Sequence, residues 1–536
     1  MKKPFFKDLL MKVLLLIPTL TLSILTNNAV GQAAGSLDTS FGGDGKVTTL
    51  ITPEGLWGPS PSLLQPDGKI VMAMALVNEP NLATITTARY LPNGELDKEW
   101  GLNGIAVTGI SSSKLLGALD IAIQPDGKIL IAGFRDTVVS PTVTLVSPFI
   151  LRYLSTGVLD PGFGNNGVVL PTGLNHGRFT GIAVVGSRIF TCGITSGGLL
   201  LGAFNISDGS LDQSWGNGGY VTHTGLSYGA FPHLLIQSDQ KLLVSAHSYL
   251  FRYLPDGQID SSFGSNDGYL QVSEARGMYG SSFFPMALQP DGKILIAGNT
   301  SSSLTFGAVE RYDMNGALDT TFANQGVFHV DFLKGKSDVT TIGLQSDGKV
   351  LVGGHAIDTG SGDIMFALAR YKADGVPDSV FGTNGLVTTS FHPNDSVDIG
   401  LGMLIQPDGK ILMTGHSVLH SIAVGGIPFN TLTLARYHPG QINNVSTPIA
   451  KKSSFIIYPN PARELLHVDY KLHNTESVQV DLYDLQGRHV SELLKTVKPS
   501  GSHKEIFILP AGVVPGTYLL KVRLGQQDNY GLVSIE

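Results

Sequence analysis

Few residues in this sequence have a type and spacing that would support catalysis or metal binding. His416 and His420 lie four residues apart, but at the end of a predicted strand and without an identifiable third ligand. The sequence contains no GxxxxGK[ST] phosphate loop and no HExxH motif. We therefore predict no catalytic residue, no metal site and no cofactor, and we expect a protein that is not an enzyme.

Two charged patterns recur along the chain, and both have a structural interpretation. Aspartate recurs in QPDGK segments, where its carboxylate could suggest calcium loops. Asp-Gly is favoured in hairpin turns for backbone reasons, and this explains the recurrence without a metal. Arg-Tyr pairs recur as well. We predict that they form a repeated contact within each structural unit, in which tyrosine packs and arginine caps turn carbonyls.

Aromatic side chains are the remaining binding candidates, because flat rings suit sugar rings and peptide segments. They lie in or beside segments whose length and content vary along the chain. Together they could line a shallow pocket, whereas the alternative is that each one packs as a plug. The candidate ligand-binding residues are Trp57, Tyr228, Phe231, Tyr279, Phe391 and His392.

The elements that must position these residues come from three repeated motifs. LDxxFGxxG-like segments begin at Leu37, Leu96, Leu159, Leu211, Ile259, Leu318 and Val376. QPDGK-like segments begin at Gln65, Gln124, Gln237, Gln289, Gln345 and Gln406, with a shorter VGSR at Val185. The Arg-Tyr pairs begin at Arg89, Arg152, Arg252, Arg311, Arg370 and Arg436, with Ala203-Phe204 in the remaining place. Repetition of short strand and turn signals indicates an array of small sheets.

One repeat shows how each sheet forms. Residues 284–288 are a short apolar run, the QPDG segment from Gln289 is a turn, and residues 293–298 are a second strand. Residues 307–312 and 327–330 supply two more strands on either side of the Arg-Tyr and LDxxFGxxG turns. Four antiparallel strands in each of seven repeats predict an all-β fold, a seven-bladed β-propeller.

The order of the motifs at the two ends of the array predicts how the ring closes. The array begins with an LDxxFGxxG segment at Leu37, while the last repeat has QPDGK and Arg-Tyr but no LDxxFGxxG after them. The fourth strand of the last blade is therefore expected at the N-terminus, over residues 46–50. This pairing closes the propeller and leaves no open sheet edge between the first and last blades.

The same arrangement sorts the connections onto two faces of the ring. In a four-stranded up-and-down blade, the first and third connections emerge on one face, and the second and blade-to-blade connections on the other. QPDGK and the Arg-Tyr to LDxxFGxxG turns are uniform and share the first face. The connections of variable length, with the candidate aromatic residues, are predicted on the second face, where binding is expected.

The N-terminus and the composition indicate a secreted acidic protein. Four lysines precede an uncharged run from Val13 to Thr26 and a small-residue stretch, so residues 1–31 are predicted to be a signal peptide. Its removal changes the formal net charge from −7 to −10, because the segment holds four lysines and one aspartate. An acidic chain is not suited to nucleic acid. No other segment is long and apolar enough to cross a membrane.

The repeats between residues 36 and 440 resemble the delta-60 repeats of bacterial proteins. The resemblance rests on QPDGKI(L/V)xxG followed by RYxxxGxxDxxFGxxG, seen most cleanly from Gln289. It implies a fold and a surface location, and it implies no chemistry.

A different sequence begins after a polar linker over residues 441–454. Residues 455–536 contain five or six alternating segments, which predict a small β-sandwich. The segment resembles the type A C-terminal sorting domain of the type IX secretion system of Bacteroidetes. The motifs YPNPA, YDLQGR and PGTYLLKV carry the resemblance, and the sorting-motif residues are Tyr458, Pro459, Asn460, Pro461, Gly487, Gly516 and Tyr518.

Taken together, the sequence predicts a secreted or outer-membrane cell-surface protein that passes through the periplasm. We expect a non-enzymatic binding or structural propeller, with the type IX translocon as a partner through the C-terminal domain. The ligand would be a polysaccharide or a protein. The alternatives are a secreted polysaccharide-active or sugar-oxidising propeller enzyme, and a protein-docking platform.

Overall fold

Every regular element of the described chain is a β-strand. The computed structural model describes residues 32–52, 56–57, 59–78, 82–110, 116–140, 143–174, 176–224, 231–273, 284–300, 306–333, 337–392, 396–424, 427–440, 455–458, 462–463, 465–472, 474–484, 489–509, 513, 516–525 and 527–535. The predicted signal peptide and linker lie outside these residues. Within them, no helix has the length and apolar character needed to span a membrane.

The strands before residue 440 fall into six hydrogen-bonded sets. We number five of them as blades 1 to 5 and divide the eight-stranded sixth, at its one parallel bridge Ile364–Val397, into blades 6 and 7. The N-terminal strand is β1 Lys46–Thr52. Blade 1 contains β2 Leu56–Trp57, β3 Ser62–Leu64, β4 Ile70–Asn78, β5 Leu82–Tyr90 and β6 Ile105–Gly109. Blade 2 contains β7 Leu116–Ile123, β8 Ile129–Ser140, β9 Val143–Tyr153 and β10 Val168–Val169. Blade 3 contains β11 Arg178–Val185, β12 Arg188–Thr195, β13 Gly198–Asn205 and β14 Tyr220–His223.

The remaining sets follow the same order of strands. Blade 4 contains β15 His233–Ile236, β16 Leu242–Ala246, β17 Tyr249–Tyr253 and β18 Tyr269–Gln271. Blade 5 contains β19 Met286–Leu288, β20 Ile294–Asn299, β21 Gly307–Tyr312 and β22 Val327–Val330. Blade 6 contains β23 Ser337–Leu344, β24 Val350–Ile357, β25 Ile364–Tyr371 and β26 Leu386–Thr389. Blade 7 contains β27 Ser396–Ile405, β28 Ile411–Val424 and β29 Ile427–Tyr437, to which β1 is added.

Blade 5 shows why the repeat folds into a sheet. The turn between β19 and β20 places Gly292 at a φ of 85°, a left-handed conformation that glycine adopts without strain. Its amide donates to the carbonyl of Gln289 at 2.9 Å, which closes the turn. The next strands pair antiparallel, with Leu295 opposite Arg311 and Val309 opposite Phe328. The repeated motifs therefore fix both the turns and the strand register.

The N-terminal strand closes the array, as the sequence predicts. β1 pairs antiparallel with β29, with Lys46 opposite Ala435 and Leu50 opposite Thr431. The fold is an all-β propeller closed by its N-terminal strand. The count of seven blades remains our inference from the repeats and from the order of the described strands.

The blades cannot bury their apolar side chains alone, and they share them with their neighbours. Each propeller cluster of buried side chains draws on two adjacent blades, for example blades 4 and 5 around Phe263 and Phe284. The aromatic residue of each LDxxF segment lies in these clusters with almost no exposure. These residues are Phe41, Trp100, Phe163, Trp215, Phe263, Phe322 and Phe381.

The C-terminal unit is a separate set of strands. One sheet contains β30 Phe455–Tyr458, β31 Leu465–Leu472 and β34 Gly501–Ile508. The other contains β32 Glu476–Asp484, β33 His489–Lys498, β35 Gly516–Leu524 and β36 Gln527–Ile535. Both sheets contribute to one cluster of buried side chains, including Val468 and Leu520.

Candidate functional site

The two ends of the ring differ in what their connections contain. The QPDGK turns join the first and second strands of the blades, and the LDxxFGxxG turns join the third and fourth. These two classes of connection emerge at one end of the ring, which we call the uniform end. The connections of variable length emerge at the other, which we call the variable end.

One contact repeats at the uniform end, and Asp260 of blade 4 shows it. Its Oδ2 accepts a hydrogen bond from Nε of Arg252 at 2.7 Å and lies 3.2 Å from Nζ of Lys241. The aspartate belongs to LDxxF, the arginine to the Arg-Tyr pair and the lysine to QPDGK. All three motifs of the repeat therefore meet at one carboxylate.

The arginine also reaches the next blade. Nη1 of Arg252 donates to the carbonyl of Met314, in the third turn of blade 5. The guanidinium carbon lies 4.4 Å from the centroid of the Phe263 ring, a favourable cation–π geometry. We call the aspartate, the arginine and the carbonyl of the next blade the arginine bridge. We predicted that the arginine caps a carbonyl within its own blade, and this is wrong, because the acceptor belongs to the neighbour.

The bridge recurs in six blades of the described chain. The arginine–aspartate pairs, 2.7 to 2.9 Å apart, are Arg89–Asp97, Arg152–Asp160, Arg252–Asp260, Arg311–Asp319, Arg370–Asp378 and Arg436–Asp38. The carbonyls that these arginines reach belong, in the same order, to Ser155, Ile206, Met314, Ala373, Pro439 and Pro92.

The closing blade uses residues from both ends of the propeller sequence. Arg436 binds Asp38 at 2.8 Å and the carbonyl of Pro92 at 2.5 Å. In the preceding interface, the amide of Gly382 donates to the carbonyl of Ala34 at 2.8 Å. The N-terminal segment therefore supplies both a carboxylate and a backbone acceptor that the last blade lacks.

Blade 3 lacks the arginine of the bridge, and two other side chains make the contacts that this arginine makes elsewhere. Ala203 occupies the arginine position, and Arg188 of the VGSR segment binds Asp212 at 2.6 Å instead. The carbonyl of the next blade, Pro255, accepts a hydrogen bond from the indole nitrogen of Trp215 at 3.0 Å. A tryptophan thus supplies the donor that arginine supplies elsewhere.

These contacts set the ionisation of the carboxylates. Burial alone would raise the pKa of Asp260, but hydrogen bonds from Ser262 and the charges of Lys241 and Arg252 lower that pKa to about 2. Asp38 behaves in the same way, and its pKa also falls to about 2. The uniform end is therefore a set of paired charges that holds the ring together.

At the variable end, the structure places the predicted aromatic residues in different environments. Tyr228 and Tyr279 lie outside the described residues. Trp57 lies in β2, opposite Ala75, and its side chain lies outside the described part. His392 is half-buried. Phe231 is half-buried and lines the central cavity.

Phe391 is a core residue and does not project as a binding residue. Its side chain is 6% exposed and packs edge-to-face on Phe366, with ring centroids 5.0 Å apart. Its amide donates to the buried carboxylate of Asp398 at 2.9 Å. The candidate aromatic residues could either line a pocket or pack as plugs. Phe391 packs as a plug, because the chain after β26 turns inward toward the blade core.

The blades surround a central cavity of about 240 Å³. It lies three to six residues before the QPDGK turns, on or beside the first strand of every blade, and near the middle of longer first strands such as β7 and β23. The lining comprises Pro59, Ser60, Pro61, Ser62, Leu119, Asp120, Thr180, Phe231, Pro232, His233, Phe284, Pro285, Met286, Thr340, Thr341, Ile342, Leu401, Gly402 and Met403.

The first strands are irregular at this level. Four of them shift register there, across Leu119, Thr180, Thr340 and Leu401, and each of the other three begins directly after a proline. A bulge turns side chains and carbonyls away from the regular ladder. Two such hydroxyls bridge neighbouring blades: Thr340 donates to the carbonyl of Gly400 at 2.8 Å, and Thr180 donates to that of Pro232 at 2.7 Å.

Two titratable side chains line the cavity. Burial raises the pKa of Asp120 to about 7, even though its oxygens accept hydrogen bonds from the amides of Ile121 and Ile182. Burial lowers the pKa of His233 to about 4, and its Nδ1 has no hydrogen-bond partner among the described residues. Sequence analysis missed both residues. An isolated aspartate inside the apolar strand LGALDIAI was the available signal.

The histidine pair named from the sequence does not form a described metal site. Nδ1 of His416 lies 3.3 Å from the hydroxyl of Ser60, and the side chain of His420 lies outside the described part. Burial lowers the pKa of His416 to about 4. Among the described residues, no group of three potential ligands surrounds a metal position.

The sorting-motif residues lie in the C-terminal unit. Tyr458 ends β30, where its hydroxyl donates to Asp469 at 3.1 Å and its ring stacks on His467. Gly516 begins β35, and Tyr518 is buried in the shared cluster. The other sorting-motif residues, Pro459, Asn460, Pro461 and Gly487, lie outside the described residues.

Two sequence families match the chain, a β-propeller repeat family before residue 440 and a sorting-domain family after it. Residues 124–163, 237–263, 289–322 and 345–381 match the family described as "Domain of unknown function (DUF5122) beta-propeller". Residues 456–531 match the family described as "Secretion system C-terminal sorting domain". No curated protein matches this chain.

Solved structures with a similar arrangement are distant. A fungal alcohol oxidase of the AA5 family, in complex with copper, is 10% identical, with a TM-score of 0.39 over 91% of this chain and 98% of that chain. The α-L-arabinanase of Penicillium chrysogenum, complexed with arabinobiose, is 9% identical, with a TM-score of 0.37 over 75% of this chain and 98% of that chain. Similarity at this level says nothing about activity.

The arginine bridges predict how stability depends on pH. A carboxylate whose pKa is lowered from 3.8 to about 2 stabilises the fold above pH 3.8 and loses this effect as the pH falls toward 2. Each such aspartate contributes about 2 kcal/mol to the free energy of unfolding. Thermal melts between pH 7 and pH 2 should therefore show a steep loss of stability below pH 4.

Asp260→Asn should lower stability at pH 7 and flatten this dependence, whereas Asp256→Asn, on an exposed turn, should do neither. An unchanged slope in Asp260→Asn would contradict the assignment.

Proposed function

We propose that this chain, a secreted protein with β-propeller repeats and a type IX C-terminal sorting domain, is a non-enzymatic binding or surface-structural protein. Its working surface is the variable end of the ring, and its ligand is a polysaccharide or a protein. The observation that carries the proposal is the central cavity, to which every blade contributes.

The distribution of paired groups supports the choice of this end. At the uniform end, the arginines and aspartates of the repeats bind each other and the carbonyls of neighbouring blades. A surface whose charged groups already have partners gains little from a ligand. In the central cavity, by contrast, hydroxyl-bearing residues, prolines and two aromatic residues line a concave surface, the usual form of a ligand site.

The rival classes are an enzyme and a protein-docking platform. A glycoside-cleaving enzyme requires two carboxyl groups on either side of the scissile bond, and the described lining of the cavity has one, Asp120. The residues outside the described part include variable connections. Turnover of a bound ligand therefore remains an outcome of the binding experiment below.

The C-terminal unit acts, in our proposal, as the export signal that the type IX translocon recognises. The protein then reaches the outer-membrane surface or the medium through the periplasm. The sheets of this unit pack around their own buried cluster, so the propeller does not depend on them for its core.

Export can be tested by truncation at Gly440. We expect the shortened chain to fold, with the melting midpoint of the propeller unchanged, and to accumulate in the periplasm of its native host. Cell fractionation and surface proteolysis measure its position. Truncated protein on the cell surface in normal amounts would remove the sorting role.

Ligand binding can be tested with glycan and peptide arrays probed with the purified secreted protein. We expect a polysaccharide or peptide hit that is weakened at least about tenfold by Phe231→Ala, because this ring lines the cavity. Met314→Ala is the matched control, since this apolar side chain is exposed at the uniform end. Equal loss in both variants would remove the variable end as the binding surface. Hydrolysis or oxidation of the hit would make the protein an enzyme.

A further inference from the structure

The central cavity contains a carboxylate that pairs with no lysine or arginine among the described residues. Asp120 lies on β7, at the point where this strand shifts register, and its side chain lines the cavity. Oδ1 accepts a hydrogen bond from the amide of Ile121, and Oδ2 accepts one from the amide of Ile182 on blade 3, both at 2.8 Å. These two amides hold the carboxyl group in place between two blades.

The two hydrogen bonds from backbone amides leave part of the acceptor capacity of the Asp120 carboxylate free. Two oxygens offer about four acceptor positions, and the two amides occupy one on each oxygen. By contrast, the aspartate of each LDxxF segment at the uniform end binds an arginine. None of the described lining residues of the cavity is a lysine or an arginine.

The rest of the lining suits a small molecule with an apolar portion. The described lining combines the apolar residues Phe231, Phe284, Met286 and Leu401 with the hydroxyl-bearing residues Ser60, Thr180 and Thr341. A volume of about 240 Å³ is far larger than a bare metal ion requires. Small ligand sites typically combine such an apolar wall with one or two fixed polar groups.

We propose that the central cavity binds a small organic ammonium ion. The charged nitrogen donates hydrogen bonds to the carboxylate of Asp120, and the alkyl part packs on the apolar wall. A buried negative charge without a countercharge is costly, and a cationic ligand removes this cost.

The proposal has a consequence for pH dependence, because the carboxyl group must be ionised to pair with the ligand. The titratable groups that face Asp120 are Cys192, on the second strand of blade 3, and His233, across the cavity. Burial raises the pKa of the Cys192 thiol and lowers that of His233 to about 4, so both are neutral between pH 6 and pH 8. Of these three described groups, Asp120, with a pKa of about 7, is the one that changes charge in this range.

This inference goes beyond the proposed function and does not depend on it. A polymer could bind across the variable end whether or not the cavity holds an ammonium ion. The array experiment and the experiment below can therefore fail separately.

The test uses isothermal titration calorimetry of the purified secreted protein with n-butylammonium as the probe, at constant sodium chloride. An alkylammonium stays charged between pH 6 and pH 8, as a lysine side chain does. We expect affinity to be about tenfold higher at pH 8 than at pH 6, because a group of pKa about 7 is mostly protonated at the lower pH. At pH 7, titrations in two buffers should show release of about half a proton for each ligand bound.

Variants and alternative probes decide the result. Asp120→Asn should weaken binding at least tenfold and abolish its pH dependence. Asp126→Asn, in the exposed turn of the same blade, should leave binding unchanged. Neutral n-butanol should bind more weakly than n-butylammonium.

The proposal is overturned if n-butylammonium shows no heat of binding, if n-butanol or potassium ion binds equally well, or if affinity is the same at both pH values. The proton count in the unaltered protein decides the question even if Asp120→Asn does not fold.

Discussion

The arginine bridge is the interaction on which the ring depends. A four-stranded blade has two faces and can bury neither without a neighbour, so the apolar clusters of this propeller lie between blades. Apolar packing is non-directional and does not by itself fix how one blade sits on the next. The guanidinium of Arg252 fixes the orientation of one blade on the next, because this planar group binds a carboxylate of its own blade and a carbonyl of the neighbouring blade.

The same interaction explains how the propeller repeats can begin with the last strand of blade 7. Asp38 and Arg436 are separated by almost the full length of the propeller sequence, yet they form the same pair as neighbours in other blades. β1 adds the backbone pairing, and Ala34 supplies the carbonyl that the split turn lacks. Blade 3 shows that the requirement is for a donor at this place and not for arginine as such, since Trp215 donates to Pro255 where Ala203 cannot.

Much of the fold could be predicted from the sequence, because the motifs that form turns are local. Asp-Gly turns and alternating strands repeat with little change, and the order of motifs at the two ends predicted the closing strand. The partner of each arginine could not be predicted in the same way, because the spacing of motifs does not record which blade supplies a carbonyl. Phe391 looked like a loop aromatic for a related reason: its sequence neighbours do not show that the ring turns into the core. Asp120 was missed because a single aspartate in an apolar strand forms no pattern.

A double-mutant cycle on the closing bridge tests this account most directly. Unfolding free energies would be measured for the unaltered protein, Arg436→Met, Asp38→Asn and the double variant, with the equivalent cycle on Arg252 and Asp260 as the internal comparison. Both side chains of the closing pair are almost fully buried, at 6% and 4% exposure. The account predicts coupling energies of about 1 to 3 kcal/mol in both cycles, similar in size. Additive effects at Arg436 and Asp38, with coupling only in the internal pair, would show that the bridge does not close the ring.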